Sequence, residues 1–381
     1  MAAGDRLFIG LYNGWAADGV EAVLAAVHSR GERMKARQVR HVHVPLPDGL
    51  RRRIAAMASG AAGPATVTAE LDRDVGLTFA DAVGELMNKA GPQDNKPVAV
   101  GCSGQPVAYV PPKAGRAGAA LTAGQPAIIA GRGAMPVVAD FAQADLAAGG
   151  CGGPIWAWAD WLLFHHRRLS RVAVNLGAMA SITFIPARGA PADVVAFDAG
   201  PGAAVLDVLA HRFFSKPFDP DGTIAAHGRV CAPLLNELHG EPYFQRRGPR
   251  VACPADWGEG FVERLMAAGQ KHGCGGADML ATAAELTART VAQGVAAMTE
   301  RPHEVILSGG GAMNIHLAGR IRRLLNPSGT VTVEKFGISM RAKNALCMAV
   351  LAAARLAGVS AHCPAATGAA RQAVLGSVTL P

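Results

Sequence analysis

Three glycine-rich turns in the sequence follow predicted β-strands and carry the polar residues best placed for chemistry. They are Gly14–Gly19, Asp198–Gly202 and Gly309–Gly311. Glycine turns after strands bring backbone N–H groups close to a ligand, and phosphate is the ligand that such turns most often bind. The first turn includes Asp18 and the second begins with Asp198, so carboxylates lie beside both predicted phosphate sites. This combination indicates phosphate binding together with acid–base chemistry.

Asp198 is the first candidate for a catalytic base. A carboxylate at the end of a strand, beside a glycine turn, can reach a nucleophile within hydrogen-bond distance. The alternative is structural, because an Asp that precedes a helix stabilises the helix N-terminus by its hydrogen bonds and its charge. Asp18 has a similar alternative, since Asp-Gly is common in turns of any function.

Other patterns exclude several classes of site. Neither GxGxxG nor GxxxxGK[ST] occurs, which disfavours the two nucleotide-binding classes that these fingerprints define. The seven Cys are odd in number and form no CxxC pair, which is typical of reduced thiols in a cytoplasmic protein. His41 and His43 alternate on a predicted strand without a carboxylate or Cys spaced for a metal, so we expect them to lie on the surface.

Composition is that of a globular protein. The 381 residues suffice for two or three domains, and 50% apolar against 17% charged residues excludes a disordered or coiled-coil chain. The net charge is +8, but the basic residues are scattered and only 5% of residues are aromatic, so we expect no nucleic-acid partner. The sequence contains no apolar stretch of the roughly 18 residues that a membrane span needs, and no signal peptide. We therefore expect a cytoplasmic protein.

The order of predicted elements indicates how the turns are positioned. The spacing of residues predicts a helix over 48–58, a strand pair over 171–185, a strand over 304–308 and a long Ala-rich helix over 342–356. Small residues after residue 360 predict a loosely held tail.

Strands and helices alternate in two blocks, which predicts an α/β protein with two halves and a cleft between them. We expect the halves to comprise residues 1–150 and 151–381, with the final helix packing back on the first half.

Eight segments of the chain, taken in order, resemble the motifs of the anhydro-N-acetylmuramic acid kinase family. The family's opening IGxMSGTSxDGxDxxL corresponds to IGLYNGWAADGVEAVL at residues 9–24. Its SHGQTV, VVADFRxxDxAAGGQGAP and NIGGIAN motifs correspond to CSGQPV at 102–107, VVADFAQADLAAGGCGGP at 137–154 and NLGAMAS at 175–181. Its FDTGPGN, DxDGxxAxxG, LATLTELTA and CGGGARN motifs correspond to FDAGPGA at 197–203, DPDGTIAAHG at 219–228, LATAAELTA at 280–288 and SGGGAMN at 308–314. The similarity therefore spans nearly the whole chain.

The resemblance implies a two-domain actin-like ATPase fold in which ATP and a 1,6-anhydro sugar meet in the interdomain cleft of a homodimer. Asp198 would be the general base that accepts a proton from an attacking water, while the sugar oxygen takes the γ-phosphoryl group. Asp18 would help to place Mg²⁺. The implied nucleotide-binding residues are Gly14, Trp15, Asp18, Gly19, Gly200, Gly202, Gly309, Gly310, Gly311 and Asn314. The implied substrate-binding residues are Ser103, Gln105, Asp140, Cys151 and Asn175.

The sequence departs from the family inside these motif loops. In the first turn the family's Thr-Ser is Trp15-Ala16, which removes two hydroxyls and adds an indole where a γ-phosphate would lie. Further polar residues are replaced by Ser103, Pro106, Ala142, Cys151, Ser181, Ala199, Ala203 and Asn344, the last standing for the Glu of AKEA. Three functions thus stay open: a diverged sugar kinase, a binding protein on a kinase scaffold, or an enzyme that uses Asp198 without phosphoryl transfer.

Overall fold

Two β-sheets form the framework of the protein. The computed structural model describes residues 4–30, 33–61, 63–91, 96–113, 115–246 and 248–381. The strands are β1 (Asp5–Tyr12), β2 (Gly19–Arg30), β3 (Arg33–Pro45), β4 (Pro97–Cys102), β5 (Gln105–Val110), β6 (Ala119–Ala123), β7 (Val137–Ala139), β8 (Arg171–Leu176), β9 (Met179–Ile185), β10 (Val195–Pro201), β11 (Glu304–Ser308), β12 (Gly329–Thr332) and β13 (Ser377–Thr379). The predicted α/β class is confirmed.

The helices surround both sheets and one of them lies between the sheets. They are α1 (Asp48–Ala58), α2 (Ala65–Asn88), α3 (Pro126–Gly133), α4 (Phe141–Ala147), α5 (Ala157–Phe164), α6 (Ala204–Phe214), α7 (Thr223–His227), α8 (Ala232–His239), α9 (Pro254–Trp257), α10 (Glu259–Lys271), α11 (Gly276–Ala296), α12 (Ile315–Leu325), α13 (Lys343–Leu356) and α14 (Pro364–Thr367). Within the described ranges, no helix is long and apolar enough to cross a membrane.

The first sheet has the strand order β13-β7-β4-β1-β2-β3, and the second has the order β10-β9-β8-β11-β12. In the first sheet β1, β4 and β7 are parallel, and in the second β8, β11 and β12 are parallel. The carboxyl ends of parallel strands meet at one edge of a sheet, where connecting loops can form a site. The turns that follow the parallel strands of each sheet therefore lie together at the carboxyl ends of those strands.

Helix α13 is the element that the two sheets share. Its residues from Lys343 to Ala354 are all buried, as expected for a helix that is surrounded by protein on every side. One face packs on β1, β2 and β4, and the same apolar cluster includes Ala173 and Ile306 from the second sheet. Two glycines allow this approach, because a Cβ at Gly10 or at Gly101 would overlap backbone carbonyl groups of α13.

A buried ion pair fixes the first turn of α13. The Lys343 ammonium lies 3.0 Å from Oδ1 of Asp160, and the two side chains are 2% and 1% exposed. Asp160 Oδ2 also accepts a hydrogen bond of 2.8 Å from the hydroxyl of Thr183 on β9. The Lys343 ammonium additionally lies 5.2 Å from the ring centroid of Trp156. This network ties α13 to α5 and to the second sheet.

Several predicted elements are confirmed, and the predicted loose tail is wrong. The helix over 48–58 and the strand over 304–308 have the predicted bounds. In the tail, β13 pairs antiparallel with β7 in the first sheet. The imidazole of His362 is 2% exposed and its Nε2 lies 2.6 Å from Oδ1 of the buried Asp145. A polar pair of this kind, buried with its hydrogen bond formed, holds the tail against the body of the protein.

The buried pair makes a testable contribution to stability. Removing one partner leaves the other as an uncompensated buried charge, so we expect Lys343→Met or Asp160→Asn to lower the free energy of unfolding by about 3–5 kcal/mol. The double variant should recover much of that loss, because it leaves no isolated charge. Denaturant unfolding followed by circular dichroism measures each value.

The exposed helix pair Lys89–Glu85 provides the matched control. Its side chains are 57% and 45% exposed, and we expect Lys89→Met to cost less than about 1 kcal/mol. Equal losses for Lys343→Met and Lys89→Met would contradict the assigned importance of the buried pair.

Candidate active site

Two of the three predicted glycine turns follow parallel strands, whereas the turn predicted over Asp198–Gly202 is wrong, because β10 continues through Asp198 to Pro201 in its pairing with β9. In the first sheet, β1 is followed by the Gly14–Gly19 turn and β4 by Ser103. In the second sheet, β8 ends beside Asn175 and β11 is followed by Gly309–Gly311. The sequence places these turns far apart, and the parallel pairing of β1 with β4 and of β8 with β11 brings each set together.

Close backbone contacts hold the turns of the second half. The Gly202 N–H donates to the Ala178 carbonyl at 3.0 Å, and a Cβ at Gly202 would overlap the carbonyl of Gly177. Gly309 has φ +89°, a conformation that favours glycine, and its N–H donates to the Met340 carbonyl at 2.8 Å.

The remaining glycines of these turns differ in their surroundings. Gly311 lies against Leu176, and a Cβ at Gly200 would lie 3.0 Å from the hydroxyl of Thr290. A Cβ at Gly310 would meet open space, and Gly310 is exposed. Gly310 therefore leaves backbone accessible to a ligand at the end of β11.

Asp198 lies on β10 with its carboxylate buried and only partly satisfied. Its residue exposure is 8%, and Oδ2 accepts a hydrogen bond of 2.7 Å from the N–H of Ala252. Oδ1 has no hydrogen-bond partner in the parts of the chain that the structure describes. The backbone carbonyl of Asp198 accepts from the Tyr243 hydroxyl at 2.7 Å and from Arg250 Nε at 3.0 Å. The strand is therefore fixed on its backbone while one carboxylate oxygen stays available.

The environment of Asp198 suits a base that works near neutral pH. Burial raises the pKa of Asp198 to about 7, and the nearby Asp256 carboxylate raises it further, while the N–H of Ala252 and the charge of Arg250 oppose the shift. A base whose pKa lies near the working pH is efficient because it is both available and basic enough. The alternative that Asp198 caps α6 is wrong, since Ala203 is the N-cap residue and no side chain caps that helix.

The first turn contacts the second sheet's side of the molecule through Trp15. Trp15 is half-buried and packs against the apolar cluster that contains residues of β8, β9 and β11. Gly14 packs on the hydroxyl end of Tyr12, and a Cβ at Gly14 would lie 2.9 Å from that oxygen. Burial raises the pKa of Tyr12 to about 12, and the negative charges of Asp198 and Asp18 add to the shift. Tyr12 therefore lies near enough to both predicted carboxylates to feel their charges.

Asp18 is bound by an arginine that the sequence patterns do not single out. Arg341 Nη2 lies 2.6 Å from Oδ2 of Asp18, and Arg341 Nε lies 2.5 Å from Oε1 of Glu21. Glu21 is 5% exposed and also receives His41 Nε2 at 2.7 Å and His43 Nδ1 at 2.9 Å. We call these five residues the Arg341 network.

The expected surface location holds for His43, which is exposed, while His41 is half-buried, and the expectation that neither has a carboxylate partner is wrong. The antiparallel pairing of β2 with β3 sets Glu21 opposite His43, with His41 two residues further along the strand. Burial alone would raise the pKa of Glu21, but the hydrogen bonds from His41 and His43 and the charge of Arg341 lower it to about 2. Gly19 completes the packing, because a Cβ there would overlap the His43 ring.

The donors around Asp18 do not fit a divalent cation. Magnesium sites in kinases use one or two carboxylates together with the substrate phosphates. Here Arg341 already occupies Oδ2 of Asp18, and Glu21 is shared among three cationic or donor groups. Residue 344, where the family has Glu, carries the neutral amide of Asn344. In the described part of the chain, no three His, Cys, Asp or Glu side chains form a group that could hold a metal.

The predicted substrate residues fall into two groups. Ser103 and Gln105 contact the first turn: Ser103 Oγ accepts from the Asn13 N–H at 3.3 Å, and Gln105 Nε2 donates to the Gly14 carbonyl at 3.2 Å. The side-chain oxygens of Gln105 and Asn344 and both amide atoms of Asn13 are buried without a hydrogen-bond partner. Buried polar groups are usually paired, so these amides are free to bind a polar ligand.

The other group consists of Asp140, Cys151 and Asn175, whose contacts lie within the protein. Asp140 has φ +59° and its Oδ2 accepts from the Ser377 hydroxyl of the tail. Burial raises the pKa of Cys151 to about 12, which keeps the thiol protonated and unsuited to nucleophilic chemistry. Asn175 is buried beside Gly177. The predicted nucleotide residue Asn314 caps α12, since its Oδ1 accepts from the Leu317 N–H at 2.9 Å.

Sequence reasoning missed Asp207 and Arg341. Burial raises the pKa of Asp207 to about 7, and the charge of Asp18 raises it further, so Asp207 lies near the first turn although it belongs to α6. An acidic residue in the first turn of a helix after a glycine turn is a signal that could have drawn attention to Asp207. Arg341 offers no such signal, because its partners lie more than 300 residues away along the chain.

Comparisons with known proteins show what this chain is similar to. A family model described as anhydro-N-acetylmuramic acid kinase matches residues 6–381. The chain is similar to the anhydro-N-acetylmuramic acid kinase of Salinibacter ruber, with 36% identity over 99% of this chain and 96% of that protein. It is also similar to the anhydro-N-acetylmuramic acid kinase of Gloeobacter violaceus, with 34% identity over 98% of each chain. Among solved structures, an activator of 2-hydroxyisocaproyl-CoA dehydratase from Clostridium difficile with bound ADPNP has 13% identity and a TM-score of 0.44 over 93% of this chain and 96% of that chain. Because the family model spans nearly the whole chain and the curated relatives exceed 30% identity, this protein belongs to the anhydro-N-acetylmuramic acid kinase family.

Proposed function

We propose that this protein phosphorylates an anhydro sugar with ATP and that Asp198 is the general base of the reaction. The observation that carries the proposal is the state of the Asp198 carboxylate, which is buried, has a pKa raised to about 7 and keeps Oδ1 without a hydrogen-bond partner among the described residues. A base in this state can accept a proton from a water molecule at neutral pH. Membership of the kinase family supplies the class of reaction.

The proposed reaction balances without a further reactant. Asp198 accepts a proton from water as the water oxygen bonds to the acetal carbon of the anhydro sugar. The bond from that carbon to the bridging oxygen breaks, and the bridging oxygen attacks the γ-phosphorus of ATP. ADP leaves, and the proton on Asp198 returns to solvent. The protein's contribution is to orient water, sugar and phosphate, which is the main source of catalysis in phosphoryl transfer.

The two sets of turns would divide the substrates between them. The exposed backbone at Gly310 and the turn at Gly14 would face the nucleotide phosphates. The unpartnered amides of Asn13, Gln105 and Asn344 would bind polar groups at the first-half side of the cleft. The replacements in the motif loops, among them Ser103, Ala142 and Cys151, favour an acceptor different from, or smaller than, the family's sugar.

A second candidate function is a binding protein that has lost phosphoryl transfer. The observation that favours it is Trp15, whose indole packs against the second half at the turn where the family has Thr-Ser. An indole in that place reduces the room for a γ-phosphate and supplies no hydroxyl donor. This alternative predicts that the Trp15 indole weakens the binding of ATP.

The base assignment predicts a pH dependence. Only ionised Asp198 can accept a proton, so kcat/KM should fall about tenfold per pH unit below an apparent pKa near 7. Asp198→Asn should lower kcat by about 10²- to 10⁴-fold. It should also remove the fall of kcat/KM at low pH, which we call the acidic limb of the pH profile. Coupled detection of ADP release between pH 5 and pH 9 measures both effects.

Asp207 gives the matched comparison, because its pKa is also raised to about 7. Asp207→Asn should leave the acidic limb in place. A limb that disappears in Asp207→Asn and persists in Asp198→Asn would show that the wrong carboxylate has been assigned as the base.

Stability gives an independent check on Asp198→Asn. The pKa of Asp198 is higher in the folded protein than its ordinary value of 3.8, so the folded state loses stability as pH rises from 3.8 to about 7. An amide at residue 198 does not ionise and avoids that loss. We therefore expect Asp198→Asn to have a higher Tm than the unaltered protein at pH 8, with a smaller difference at pH 4.

The Trp15 indole provides the test between the two candidate functions. If it limits the space for phosphate, Trp15→Thr with Ala16→Ser should raise ATP affinity about tenfold or more and lower Tm, since apolar contacts across the cleft are lost. Ala16 is exposed, so Ala16→Ser alone is the control and should change Tm little. Calorimetric titration with ATP measures the affinities, and an unchanged affinity in a folded double variant would contradict the proposed obstruction.

A further inference from the structure

Arg341 occupies an unusual place for a cation. It lies immediately before α13, whose N-cap residue is Ala342, and a helix N-terminus carries a partial positive charge that disfavours cations. Lys343 adds a second cation two residues further along the chain, but Asp160 compensates it. Arg341 is compensated by the two carboxylates of Asp18 and Glu21, which belong to the first half.

The Arg341 network holds the guanidinium in one position. Nε and Nη2 each bond to a different carboxylate, and Glu21 is in turn fixed by His41 and His43. Although burial alone would lower the pKa of Arg341, Asp18 and Glu21 raise it above its ordinary value. The side chain is 32% exposed, and Nη1 has no hydrogen-bond partner among the described residues. A fixed guanidinium with a free N–H group can bind a phosphate oxygen.

Two features of this chain change the charge of the site in the same direction. Asn344 replaces a family Glu and so removes a negative charge beside the N-terminus of α13. Arg341 places a permanent positive charge beside Asp18, the carboxylate that the resemblance assigns to Mg²⁺. The unpartnered Oδ1 of Asn344 and the hydroxyl of Tyr12 lie in the same region. The site thus already contains a positively charged side chain, and this charge repels a metal cation from solution.

We infer that the Arg341 guanidinium takes the place of a divalent cation at Asp18 and binds the phosphates of the nucleotide, so that nucleotide binding needs no metal at this site. The inference rests on the proposed function in one respect, namely that the chain binds a nucleotide. The inference adds a statement about the metal ion, because phosphoryl transfer with Asp198 as the base is possible with or without a metal ion at Asp18.

The test compares ATP binding in EDTA with ATP binding in MgCl₂. Calorimetric titration of the unaltered protein should give dissociation constants within about threefold of each other. Arg341→Met should weaken binding in EDTA about tenfold or more, the effect of losing a hydrogen bond to a charged group. It should also make binding depend on Mg²⁺, because Asp18 is released. Arg341→Lys keeps the charge and should bind in EDTA more tightly than Arg341→Met.

A double variant with Arg341→Met and Asn344→Glu should show the strongest dependence on Mg²⁺, because it restores a carboxylate and removes the cation. Circular dichroism and Tm show whether each variant is folded. The comparison in the unaltered protein decides the inference even if no variant folds.

The outcomes separate the inference from the proposed function. Binding of the unaltered protein that strengthens tenfold or more with Mg²⁺ would overturn the inference and leave the sugar kinase proposal intact. Absence of ATP binding in both solutions would overturn the two together. Metal-independent binding without any sugar phosphorylation would support the inference and contradict the proposed activity.

Discussion

Helix α13 lies directly on the glycines of β1 and β4, and the position of Arg341 beside the turn after β1 depends on this contact. Because a Cβ at Gly10 or Gly101 would overlap the helix backbone, only glycine lets the helix approach so closely. The helix is buried along nearly its whole length and packs on both sheets. Its first turn is fixed to Asp160 through Lys343. As a result, the segment before the helix places Arg341 beside the turn that follows β1, and residues of both sheets share one apolar cluster with the helix.

Asp198, Asp207 and Glu21 have different pKa values because their surroundings differ. Asp198 is buried and Asp207 is half-buried, both with little compensation of their charge, and their pKa values are raised to about 7. Glu21 is as deeply enclosed, but three donors lower its pKa to about 2. Environments that push the pKa values of nearby acids apart are a common way to assign acid, base and electrostatic roles within one site. Here the division leaves Asp198 able to exchange a proton at neutral pH, while Glu21 holds Arg341 as a permanently ionised partner.

Local patterns in the sequence predicted the elements, and the contacts between distant segments decided the details of the site. The bounds of α1 and β11 and the family resemblance followed from spacing and motif order, and both are confirmed. The tail was misjudged because small residues after residue 360 suggest weak packing, whereas the His362–Asp145 pair joins residues 217 positions apart. The carboxylate partner of His41 and His43 could not be predicted for a similar reason, since Glu21 lies on the neighbouring strand. Arg341 could not be predicted, because nothing near it in sequence indicates a bond to Asp18.

The central claim is that a water activated by Asp198 opens an anhydro ring while ATP phosphorylates the released oxygen. The most direct measurement is incubation of the purified protein with ATP and each of a series of 1,6-anhydro sugars, from 1,6-anhydro-N-acetylmuramic acid to smaller ones, in ¹⁸O-labelled water, followed by mass spectrometry and phosphorus NMR of the products. The account predicts one ADP for each phosphorylated sugar, with the label on the acetal carbon of the sugar and none in the transferred phosphate. Label in inorganic phosphate without a phosphorylated sugar, or no ADP at all while the nucleotide is bound, would contradict it.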